Sequence, residues 1–103
     1  MAIIDVVVIP LDKTSVSISK YIGEIQNLLK EKKEIGLIDY HLTPMSTLIE
    51  GELSDCLKVL EEIHELPFKH GIDRVCTNIR IDDRRDKKRK MFEKLDSVKK
   101  HMH

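Results

Sequence analysis

The stretch Leu37-Ile38-Asp39-Tyr40-His41-Leu42-Thr43-Pro44-Met45-Ser46-Thr47-Leu48-Ile49-Glu50-Gly51 decides the fold. Within it Ile38, Tyr40 and Leu42 alternate with Asp39, His41 and Thr43, the period of two that gives a strand one buried and one polar face. Pro44 has no N–H to donate to a ladder, so it marks a bend or a sheet edge, not mid-strand. A second short strand, about Ser46 to Glu50, stops at Gly51. Two strands joined by a proline bend form the middle of the chain, and what flanks them sets the topology.

Upstream the period is helical. Ile18, Tyr21, Ile22, Ile25, Leu28 and Leu29 recur at spacings of three and four, so residues 18–34 form a helix with one apolar side. Ser17 or Ser19 caps its start and Gly36 takes the C-terminal position at its exit. Before it, Ala2 to Ile9 is β-branched and nearly all apolar, too short for a helix, and ended by Pro10; it reads as a central strand. Downstream, Leu53, Cys56, Leu57, Leu60, Ile63, His64 and Pro67 share one stripe of a helix over 53–70, closed by Gly71 and kinked or shortened by Pro67. Val75 to Ile81 alternates again, as a fourth strand. A charge run, Asp82-Asp83-Arg84-Arg85-Asp86-Lys87-Lys88, leads to a terminal helix of about 86–100 with Met91, Phe92, Leu95 and Val98 as its apolar stripe.

The order βαββαβ with right-handed crossovers makes a four-stranded antiparallel sheet with two helices on one face, the ferredoxin-like α+β sandwich, plus the C-terminal helix. At 103 residues a single domain over 1–103 is expected. Such a sandwich leaves one sheet face without a helical layer. Alternation puts Asp5, Val7, Asp39, His41 and Thr43 there, with Arg80, Asn78 and Cys76 or their neighbours, and a partner subunit suits that face better than solvent.

Composition excludes several functions. Eighteen basic and eighteen acidic residues cancel, so net charge gives no argument for nucleic acid or a membrane surface. No apolar run approaches the roughly 20 residues of a membrane span, and the N-terminus has no signal-peptide pattern. Two cysteines without metal spacing fit a cytoplasmic protein. Residues 84–103 hold nine Lys/Arg against three acids, but a ferredoxin-like RNA binder stacks bases on sheet aromatics, and Val75 to Ile81 contains none. A solvated helix face explains the basic segment, so no nucleic-acid partner is expected. No nucleophile elbow or phosphate-cradling glycine loop appears, and the histidines combine at no ligand spacing, so neither an enzyme nor a metal site is expected. His64 reads as a satisfied core histidine or as a polar anchor for a ligand.

The proline bend remains. Thr43, Ser46 and Thr47 place hydroxyls around Pro44 and the polarizable Met45, close in this fold to Ser17, Ser19 and the free amides that open the first helix. Small donors and acceptors beside an apolar slot suit a neutral or cationic heteroaromatic. The same residues also read as a turn plus a helix cap.

Five blocks together carry a resemblance: Val8-Ile9-Pro10; Ser17-Ile18-Ser19-Lys20-Tyr21; Leu42 to Gly51; Ile63-His64-Glu65; and Arg74 to Lys87. In order and spacing the chain resembles, from about residue 2 to 100, the small thiamine-binding protein family, the single-domain relatives of the YkoF-like proteins. The resemblance implies a homotetramer, a dimer of dimers, that binds thiamine or its hydroxymethylpyrimidine moiety without chemistry on it and without a cofactor. Carried onto this chain, Thr43, Pro44, Met45 and Thr47, with Ser17 and Ser19, look like the ligand-contacting parts, and Tyr21 or Glu50 would suit a thiazolium cation. With His64 as a candidate anchor, these nine are the expected site residues. Many members have Gly where this chain has Ser46, which adds bulk and a hydroxyl. The Asp82–Lys87 run looks like a hinge whose charges pair across subunits. A structural or regulatory oligomeric module without a small-molecule ligand is the alternative reading.

Overall fold

In a computed structural model of the protein the described residues are 1–11, 18–86, 95 and 98–102. Strand β1 (Ala2–Pro10) is followed by helix α1 (Ile18–Glu34), strands β2 (Asp39–Leu42) and β3 (Thr47–Gly51), helix α2 (Leu53–Glu65), a short 3-10 turn (Pro67–His70) and strand β4 (Val75–Asp83). The strands form one antiparallel sheet in the order β2-β3-β1-β4. This is the ferredoxin-like α+β arrangement, with β1 central as its apolar run requires.

Register fixes the two faces. Ile4 pairs with Ile49 and Ile81, and Val6 with Thr47 and Ile79, so these residues turn toward the helices. Asp5 pairs with Leu48 and Arg80 on the opposite face, where Arg80 Nε lies 3.0 Å from Asp5 Oδ2. Val7 and Asn78 follow on that face, so Arg80, Asn78 and Cys76, not their neighbours, share it with Asp5 and Val7. Thr43 lies past the end of β2, in the bend.

The core sits between sheet and helices: Ala2, Ile4, Val6 and Ile49 from the strands, Ile25 and Leu29 from α1, Cys56, Val59, Leu60 and Ile63 from α2. Each set recurs at its element's own period, which is why these segments adopt these conformations. Helix α1 ends in a Schellman motif. Gly36 has φ +78°, its N–H donates to Lys33 O at 2.9 Å, and Leu37 N–H donates to Lys32 O at 3.0 Å. Lys32 and Lys33 in that last turn favour the dipole's negative end, and Lys32 Nζ reaches Glu62 Oε2 of α2 at 3.1 Å.

Helix α2 is shorter than its stripe predicts. Pro67 has no N–H to continue the ladder, so the α-helix stops at Glu65 and the chain tightens into the 3-10 turn. In the charge run Arg84 pairs with Asp86 at 2.7 Å and Arg85 with Asp83 at 2.8 Å within the chain. The C-terminal helix expected over 86–100 falls largely outside the described residues; Leu95 and residues 98–100 are helical. Among the described residues no helix is long and apolar enough to cross a membrane.

Candidate functional site

Three segments meet beside the bend. The end of β1 supplies Val6, Val7, Val8 and Ile9, the first turns of α1 supply Ile22, Ile25 and Gln26, and residues 42–47 close the third side over Ile63 of α2. They enclose a cavity of about 200 Å³. That is smaller than the roughly 300–1,000 Å³ of a drug-sized pocket, so a single ring fits and anything longer extends outward. Leu42 and Met45 are exposed, Met45 at 85%. Among the described residues the lining carries no charged side chain, so the site suits an uncharged group.

The bend is built by Thr43. Its N–H donates to Ser46 O at 2.9 Å. Its hydroxyl donates to the same carbonyl at 2.8 Å and accepts from the Ser46 and Met45 amides at 3.0 and 3.3 Å. A threonine hydroxyl holding its own turn is the local alternative to a strand ladder, so Thr43 shapes the wall rather than offering a free hydroxyl. Among the described residues none but glycine has positive φ, so Ser46 stands in the bend without backbone strain.

The other expected site residues divide. Pro44, Met45 and Thr47 line the cavity with Thr43. Ser17 lies outside the described residues; Ser19 lies in the first turn of α1 and is not among the lining residues. Tyr21 is buried at 2% exposure, its ring edge-on to His70 at 5.4 Å, and His70 Nε2 lies 2.8 Å from Glu24 Oε2. It presents no open aromatic face to a cation. Glu50 is buried and alternates with Ile49, so it turns to the sheet face opposite the helices, away from the cavity. His64 is half-buried, its Nδ1 2.7 Å from Thr77 Oγ1 and its ring against Phe68. The partner of its Nδ1 is thus a hydroxyl on β4.

The sequence reading missed Gln26. Its Nε2 donates to Thr47 Oγ1 at 3.2 Å, joining α1 to β3 at the cavity wall. The signal was a carboxamide four residues after Ile22 and next to Ile25, on the edge of an apolar stripe. Elsewhere, burial, aided by Asp55, Glu50 and Glu52, pushes the Cys56 thiol up to about 11, so it stays protonated and inert. Among the described residues no group of His, Cys, Asp or Glu is arranged to hold a metal ion.

Comparison with known proteins finds relatives of both the sequence and the fold. The sequence model of the family described as thiamine-binding protein matches residues 4–99. The chain is 63% identical to the UPF0045 protein in the glkA 3' region of Staphylococcus xylosus, over 99% of this chain and 95% of that one. It is 53% identical to the UPF0045 protein YqgV of Bacillus subtilis, over 99% and 98%. The crystal structure of the hypothetical protein MJ1052 of Methanocaldococcus jannaschii superposes with a TM-score of 0.80 at 30% identity, over 95% of both chains. A Thermotoga maritima protein, TM0486, assigned provisionally to thiamine biosynthesis or salvage, shares the fold with a TM-score of 0.62 at 18% identity, over 94% and 97%. The chain belongs to the thiamine-binding protein family.

Proposed function

We propose that this member of the thiamine-binding family holds thiamine or its hydroxymethylpyrimidine moiety in the cavity beside the Thr43–Ser46 bend, and releases it unchanged. The observation that carries the reading is an uncharged, mostly apolar hollow of about 200 Å³ with the hydrogen-bonded side chains of Gln26 and Thr47 on its wall. Apolar walls favour a flat ring, and a few fixed donors and acceptors orient it. An aminopyrimidine is such a ring. The cationic thiazolium has no carboxylate in the described lining, so that half of thiamine extends past Leu42 and Met45 toward solvent.

Non-catalytic binding is supported by a thiol held protonated at Cys56 and by a bend hydroxyl already committed to its own backbone. Two free cysteines, one buried and one exposed, suit a reducing cytoplasm. A homotetramer is supported by the sheet face that carries Asp5, Val7, Leu48 and Arg80 opposite the helices.

Isothermal titration calorimetry with thiamine and with hydroxymethylpyrimidine tests the reading. Saturable heat with at least one is expected at up to millimolar ligand. Absence of heat with both removes the vitamin reading and leaves an interaction module in its place.

A further inference from the structure

Resting on the reading that the cavity holds a pyrimidine ring, we infer that the Gln26–Thr47 pair selects a ring amino group over a ring carbonyl. Gln26 reaches across from α1 and places Nε2 3.2 Å from Thr47 Oγ1 on β3. A carboxamide has one acceptor oxygen and one NH₂ group. With the NH₂ turned to Thr47, Oε1 is the acceptor left for a ligand, and an acceptor requires an N–H.

The surroundings sharpen this demand. Thr47 is buried at 7% exposure, so its hydroxyl is shielded from solvent. The Thr43 hydroxyl is engaged by the bend, and no charged side chain in the described lining competes for the ring. A 4-aminopyrimidine sets a C4 amino donor beside the N3 acceptor, the pattern by which a glutamine carboxamide grips the edge of adenine. In the 4-oxo analogue N3 carries the hydrogen and C4 the oxygen, so donor and acceptor trade places. That carbonyl then faces Oε1. Relief requires the carboxamide to rotate and the Thr47 hydroxyl to turn its own proton toward Oε1. Thr47 is thus a positioning residue, and Gln26 the group that touches the ligand.

The test is calorimetric titration of the intact protein with 4-amino-5-hydroxymethyl-2-methylpyrimidine and with its 4-oxo counterpart. The amino ring is expected to bind about tenfold more tightly or better, since an acceptor that the bound ring covers and meets with another acceptor is left unsatisfied. Thr47→Val keeps the shape but frees the carboxamide, so the two affinities draw toward parity. Gln26→Leu weakens the amino ring and abolishes the preference, whereas Gln26→Glu, which keeps acceptor oxygens, retains it; thermal melting confirms that each variant is folded. Equal affinity of the unaltered protein for both rings, or a gap that neither Thr47→Val nor Gln26→Leu changes, overturns this inference and leaves the binding reading intact. No heat with either ring overturns both.

Discussion

At the scale of single residues, Thr43 serves the turn and not the open side of the cavity, while Gln26, to which the sequence reading gives no role, stands on the wall. A threonine before a proline reads as a ligand-contacting hydroxyl, yet here its oxygen closes the turn on Ser46. Thr43→Val is therefore expected to lower stability by about 1 kcal/mol through the lost turn bonds, seen in urea denaturation. Ligand affinity should fall with the loosened wall, and Thr43→Ser should restore both. A binding loss without any stability loss would return Thr43 to direct contact. The bend's place at the cavity was legible because proline and hydroxyls announce a turn. Gln26 was not, because its partner lies 21 residues away and only folding brings α1 onto β3. Tyr21, Glu50 and His64 were ambiguous for a related reason: a residue type does not say which side of its element meets the hollow.

Elements were easier to read than residues. The helix over 18–34 and the strand starting at Ala2 appear where their periods put them. The second helix was read too long, since the apolar stripe continues through Pro67 although the α-helical ladder does not. Gly36 was legible as a helix stop, and its left-handed backbone shows why. Gly36→Ala forces a side chain into that conformation at a cost of about 1 kcal/mol. The melting temperature should drop by roughly 5 °C, and an unchanged melt would mean that the Schellman exit contributes nothing.

For the whole molecule, sheet order followed from the βαββαβ order and the handedness of crossovers. How the strands are set against one another was not written in any one segment, because pairing Asp5 with both Leu48 and Arg80 depends on three strands at once. If copies associate through the face opposite the helices, Leu48→Asp, which adds an unpaired carboxylate beside Asp5, should reduce the four-chain mass expected in sedimentation equilibrium. A variant that keeps the full assembly would move the interface elsewhere.

Strand β4 has a consequence of its own. It forms one border of the sheet for nine residues, contains no proline, and leaves Ile79 and Ile81 nearly half uncovered. A long border of that kind invites backbone from other chains, whether in an ordered complex or in a fibril. Solubility in concentrated solution thus depends on keeping that outermost ribbon sheathed.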